Sequence, residues 1–319
     1  MHSDPALRRP LSRYAWTVLG FNLVVILWGA VVRATGSGAG CGNHWPLCDG
    51  EVVPTEPKVE TLIELSHRLT SGLALLMVIA LVVWVWRRFP AGHLARKGAM
   101  ASLILIFVEA LIGAGIVLLE LVADNSSWAR AGYMALHLGN TFLLLASLTL
   151  TARWTSLGEP GDRRWVRNRL LWASFVGLLL TGMTGAISAL GDTLFPAASL
   201  TEAIAQDVAA GSHFLIKLRV FHPLIAVVAA LMVLTFCRRE LESPLRSSRS
   251  TLLCQLLMAL VLLQVACGVA NIALLAPIWI QLIHLLLADG VWILLVLLAD
   301  SQTDRPAQEP SFTPPRHPS

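Results

Sequence analysis

Four histidines, His67, His137, His222 and His284, lie inside long apolar runs of this 319-residue chain. Each stands near the same end of its run. A neutral imidazole in lipid is costly unless something binds it, and two imidazoles facing each other across a helix bundle are the donor set that haem iron takes up. The spacing is duplicated: 155 residues separate His67 from His222 and 147 separate His137 from His284. Two similar halves, each with a histidine pair, are therefore expected.

The elements that must position these rings are read from composition. Hydrophobic residues make up 55% of the chain and charged residues only 14%, against roughly 25% charged in a soluble domain. The apolar excess is gathered into eight stretches near 15–32, 62–86, 99–121, 131–152, 170–190, 218–236, 251–275 and 278–299, each able to cross a bilayer core. Of the 24 Lys and Arg residues, 18 fall on one side of this pattern, including Arg163, Arg164, Arg167, Arg305 and Arg316, and 6 fall on the other. The positive-inside rule then puts both termini in the cytoplasm. A net charge of +4 and a pI near 9 would otherwise suggest nucleic acid. The sidedness accounts for that excess, and no nucleic-acid partner is expected. The first run is too long for a cleaved signal peptide and is followed by a polar, Gly-rich loop.

The fold class expected is an all-α integral membrane protein of eight helices, arranged as two pseudo-repeated four-helix bundles. A cytoplasmic N-terminus (1–14) precedes a first bundle (15–153). A basic cytoplasmic linker (154–169) leads to a second bundle (170–300), and a Pro-rich, disordered tail (301–319) follows. Gly29-Ala30 recurs as Gly185-Ala186, and Gly113-Ala114-Gly115 has a counterpart in Gly268-Val269-Ala270. These small residues are expected to permit close helix approach. Exposed apolar helix faces allow a homo-oligomer.

Basic residues on the outer side lie close to the histidines. Arg33, Arg68, Lys217 and Arg219 either hold haem propionates through charge-assisted bonds or snorkel to lipid headgroups. The halves differ three residues before their first histidine, a same-face spacing. Glu64 precedes His67, whereas Arg219 precedes His222. A carboxylate there could move protons or stabilise developing positive charge, and a cation could only anchor or tune. Chemistry is thus expected in the first half and a permanent cofactor in the second. The competing reading is that Glu64 merely pairs with Arg68 one turn on. Cys41 and Cys48 share an outer loop and form either a disulfide or a pair of free or redox-cycling thiols. Cys237, Cys254 and Cys267 read as small apolar fillers. Glu109 and Asp289 are intramembrane carboxylates expected to pair within the bundle, with Asp289 turned away from His284. Asn140 and Gln281 are weaker candidates, and His44 and His213 read as rim residues. His2, His93 and His317 carry no argument.

The stretch Gly29-Ala-Val-Val-Arg-Ala-Thr-Gly-Ser-Gly-Ala-Gly-Cys-Gly-Asn-His-Trp-Pro-Leu-Cys48, followed by Ile63-Glu-Leu-Ser-His-Arg68, resembles haem A synthases of the cysteine-containing bacterial type. The likeness continues, more loosely, through Thr184–Asp192, Leu218-Arg-Val-Phe-His222 and His284. It implies oxidation of a porphyrin methyl group of haem O (the substrate) to a formyl group, giving haem A for terminal oxidases. By motif, Glu64 would be the essential carboxylate and His67 and His137 the substrate-side ligands. His222 and His284 would ligate a resident haem b, and Cys41 and Cys48 would be the outer-loop pair. Haem O synthase and terminal oxidase assembly are the partners this implies. Two readings from other classes compete with it. One is a two-haem electron-transfer cytochrome linked to quinol, and the other is a haem-delivery assembly protein.

Overall fold

The computed structural model describes residues 5–157, 168–244 and 246–303. Arg163, Arg164, Arg167, Arg305, Arg316, His2, His317 and most of the expected linker and tail lie outside them. Ten α-helices occur among the described residues: α1 (Pro5–Ala34), α2 (Val59–Arg88), α3 (Leu94–Leu118), α4 (Trp128–Ser156), α5 (Arg169–Leu194), α6 (Leu200–Val208), α7 (Phe214–Arg219), α8 (Phe221–Glu242), α9 (Ser248–Ala273) and α10 (Ile278–Gln302). Eight spans, with α7 and α8 making one between them, are long and apolar enough to cross a membrane. Helices are the form that pairs every backbone polar group internally in hydrocarbon. This is an all-α, multi-pass membrane protein.

Side chains set the helix starts. Ser127 accepts from the Arg130 N–H, Asn168 from those of Leu170 and Leu171, and Ser247 forms a capping box with Ser250. Two features depart from eight plain spans. The sixth span breaks at Val220, because Pro223 has no N–H and its ring crowds the carbonyl of Arg219, four residues back. The loop before it carries the short helix α6, whose start is capped by Ser199.

Helix α1 packs on α2 and α4, and α3 on α4. In the second half α5 packs on α8, α8 on α9, and α9 on α10. The halves meet where α4 contacts α5 and α10, and where α1 contacts α10. Aromatic residues build this seam. Trp292 donates Nε1–H to the Phe142 carbonyl at 2.6 Å and stacks on the Phe142 ring at 5.0 Å, while Phe175 meets its edge at 5.4 Å. Trp154 Nε1–H donates to Asp300 at 2.8 Å, with Arg153 3.3 Å from the same carboxylate. These bonds fix α10 against α4 on the side of the cavity remote from the Cys41–Cys48 loop.

Candidate functional site

The even-numbered spans run in one direction, and each brings its histidine in from the same end. His67 lies eight residues after the start of α2 and His137 nine after the start of α4. His222 lies eight residues into its span and His284 six into α10. At 1.5 Å per residue all four rings sit roughly 9–14 Å in from the end that carries the Cys41–Cys48 loop. All four line one cavity of about 1370 Å³ that runs from the first half into the second. A single drug-sized ligand fills roughly 300–1,000 Å³, so there is room for more than one large planar ligand.

Each ring faces a glycine of the preceding span. A Cβ placed on Gly29 would come within 3.0 Å of the His67 imidazole, one on Gly185 within 3.0 Å of His222, and one on Gly268 within 3.0 Å of His284. On Gly113 it would lie 4.0 Å from His137. The recurrent small residues expected to serve helix–helix approach thus also make slots for imidazole rings. Sequence reasoning missed this use, although a glycine recurring in the span before each histidine was the available signal.

In the second half the His222 and His284 ring centres are 6.4 Å apart and the rings are nearly perpendicular, at 87°. Two imidazoles on opposite sides of one metal, each bonded at about 2 Å, place their ring centres roughly 6 Å apart. His222 Nδ1 lies 3.1 Å from the Thr181 carbonyl, the outer contact that fixes a ligating imidazole. His284 Nδ1 is buried with no hydrogen-bond partner among the described residues, and its Nε2 lies 3.3 Å from the Gln264 amide. This donor set fits a bis-histidine haem.

The first half carries carboxylates. Glu64 is buried and lines the cavity. Its Oε1 takes Arg68 at 2.5 Å and its Oε2 accepts the Cys41 N–H at 2.8 Å. The pairing with Arg68 forms, and Arg68 also donates to the carbonyls of His44 and Leu47, both at 2.7 Å. Cys41 and Cys48 form a disulfide and are wholly buried. Gly40 lets this loop lie on α2, since a Cβ there would fall 2.4 Å from the Glu60 backbone; Thr61 donates to the Gly40 carbonyl at 2.6 Å. The disulfide loop therefore clamps the Glu64–Arg68 pair. Replacing both cysteines with serine should cost about 2–3 kcal/mol, the chain-entropy value for so short a loop. A melting curve of the purified protein checks this, and an unchanged midpoint would refute it.

Glu109 pairs within the bundle, with His137, Asn140 and Thr141. Asp289 does not: it is wholly buried, and neither carboxylate oxygen has a hydrogen-bond partner among the described residues. The residues one turn away on its own helix, Leu285, Leu286, Trp292 and Ile293, offer it no free donor, because the Trp292 N–H is spent on Phe142. Gln281 accepts from Arg33 and donates to the Ala276 carbonyl.

The basic residues separate. Arg33 leaves α1 and crosses to the second half, donating to the Ala189 carbonyl at 2.7 Å and to Thr193 and Gln281 at 2.6 Å. Arg219 is held by Asp207 at 2.6 Å and Asp192 at 3.3 Å. Both line the cavity, as do Arg68 and Arg130. Arg130 is buried, and its guanidinium donates to the Ala123 and Asn125 carbonyls. Lys217 donates to the Ala210 carbonyl at 2.8 Å and is not among the cavity-lining residues. His44 stays in the loop, and His213 caps α7 with its ring against Phe195 and Phe214.

A family model described as COX15-CtaA, cytochrome oxidase assembly protein, matches residues 12–296. The chain belongs to this family. Two proteins of Thermus thermophilus strains, each named protoheme IX farnesyltransferase, are 50% identical over 307 residues, which is 95% of this chain and 50% of each relative. The chain thus spans about half the length of these relatives. A protein of Alkalihalophilus pseudofirmus named heme A synthase is 44% identical over 128 residues, 40% of each chain. A heme A synthase of an Exiguobacterium species is 36% identical over 170 residues, 53% of this chain and 52% of the relative. Within the COX15-CtaA family, the site to be explained is a four-histidine cavity in which Glu64 and Glu109 stand by the first histidine pair, while the lining carboxylates of the second half, Asp192 and Asp207, bind Arg219.

Proposed function

We propose that this chain is a haem A synthase of the bacterial cell membrane, with both termini cytoplasmic and the histidine ends of its spans outward. It oxidises a methyl group of its substrate, haem O, to a formyl group. The observation that carries the reading is the asymmetry of the two histidine pairs. His67 and His137 have Glu64 and Glu109 beside them, whereas His222 and His284 meet a backbone carbonyl and an amide, and the carboxylates lining that half, Asp192 and Asp207, are bound to Arg219. The family match and the heme A synthase relatives support it.

In this reading the first bundle, residues 15–153, receives haem O between His67 and His137. The second, residues 170–300, keeps a haem b on His222 and His284. Such a haem, when bound, supplies one-electron transfer. Arg33 and Arg219 hold carboxylates at the rim of the second site, and Arg68 and Arg130 do so at the first. Methyl to formyl is a four-electron oxidation at one carbon: two oxygen atoms enter in turn, giving an alcohol and then a hydrated aldehyde, one leaves as water, and an external oxidant takes up the four electrons. Glu64, held one turn from His67, accepts protons released at that carbon. Tight glycine slots seat three of the four rings, those of His67, His222 and His284.

Expression in membranes supplied with haem O, followed by pigment extraction, tests the reading. Formyl-porphyrin is the expected result. Haem O recovered unchanged from a coloured protein would instead favour an electron carrier or a delivery protein. The slots give a second expected outcome. Gly185→Ala and Gly268→Ala should each lower resident haem content about tenfold, at the low end for groups that orient a metal ligand. Gly113→Ala, which faces His137 in the other bundle, is the control for general damage and should leave it unchanged. The optical spectrum of each purified variant reads this directly, and equal spectra for all three would refute the slot argument.

A further inference from the structure

Three of the four histidines are seated by a tight glycine slot, and the fourth is seated differently. His137 has the widest slot, and its Nδ1 lies 3.1 Å from Glu109 Oε1, a close approach off the ring N–H axis. Glu109 is itself fixed from both sides. Thr141 donates its hydroxyl to Oε1, and Asn140 donates to Oε2 at 2.5 Å while also reaching the Leu105 carbonyl at 2.9 Å. Asn140 and Thr141 stand three and four residues after His137, on the same face of α4, and Glu109 comes from α3. The His67 Nδ1 likewise makes no hydrogen bond among the described residues, but no carboxylate there is paired with it.

A slot orients a ring but adds nothing to its bonding. A carboxylate on the outer nitrogen orients the ring and also makes the imidazole a stronger donor to a metal on its other nitrogen. A site that takes in one haem and gives up another must hold its iron from one side while the other side yields. Resting on the function proposed above, we infer that Glu109 is a positioning residue that makes His137 the ligand kept on the substrate iron, with His67 the ligand that yields first. The face that opens is then the His67 face, where Glu64 stands three residues away on the same helix.

The test uses the full-length protein loaded with haem O, with the resident haem's spectrum as the measure of intact folding. His67→Ala should keep haem O and, when reduced, bind carbon monoxide at that iron. His137→Ala should lose haem O about tenfold or more. Glu109→Gln keeps the side-chain size but removes the charge. It should weaken haem O retention about tenfold and move that iron's midpoint potential in the positive direction, a shift that a merely packing role would not produce. Equal loss of haem O from the two histidine variants would overturn the inference. So would a Glu109→Gln protein that matches the parent in both affinity and potential while the parent still converts haem O. A parent protein that takes up no haem O would reject the function itself, and this inference with it.

Discussion

His222→Ala and His284→Ala are each expected to strip the purified protein of its resident haem, lowering content at least tenfold. The two ring centres lie 6.4 Å apart in the second bundle, and removing either would leave a single imidazole to hold the iron. The remaining imidazole is then an unpartnered polar ring in an apolar cavity, which is itself unfavourable. His44→Ala is the matched control, because among the described residues only the backbone carbonyl of His44 is hydrogen-bonded, by Arg68. Absorption spectra and extracted pigment read the outcome. Full spectra in both His222→Ala and His284→Ala would reject this ligand pair.

Glu64→Gln carries the second large effect. The amide keeps the acceptor that the Cys41 N–H requires, so the loop stays docked, and Arg68 retains the carbonyls of His44 and Leu47. What is lost is a group able to take a proton, worth about 100-fold or more in rate when a positioned carboxylate acts as a general base. Formyl-porphyrin should therefore fall by at least that factor while both histidine pairs still bind their haems. Product at the normal rate would reduce Glu64 to the structural partner of Arg68. Loss of the resident haem would show that the substitution had damaged the fold.

Much of this site was legible in the chain because lipid makes polar groups conspicuous. A histidine or carboxylate inside an apolar run needs a reason, so His67, His137, His222, His284, Glu64, Glu109 and Asp289 all announced themselves. The repeat was legible for a related reason: equal spacing places equal residues at equal depth. The partner of each group was not legible. Glu109 was expected to pair but not with His137, because the pairing depends on how α3 lies against α4. Asp289 was expected to find a partner and finds none among the described residues, because its own helix offers only apolar neighbours or a Trp292 N–H already bonded to Phe142. Arg33 reads as a first-half residue, yet its three bonds go to α5 and α10.

The sequence by itself determined the number of spans, their alternation and the depth of each histidine, since hydropathy and the 1.5 Å rise per residue act along one helix at a time. It also placed Cys41 and Cys48 within reach of each other in one loop. Only the tertiary structure decided that Gly29, Gly113, Gly185 and Gly268 stand opposite the imidazoles, that the disulfide loop grips Glu64, and that one cavity joins the two halves. Those facts depend on rotation and tilt between helices that are apolar nearly all round. No periodic stripe in such helices encodes which face meets which neighbour, and packing across the Phe142–Trp292 seam settles it.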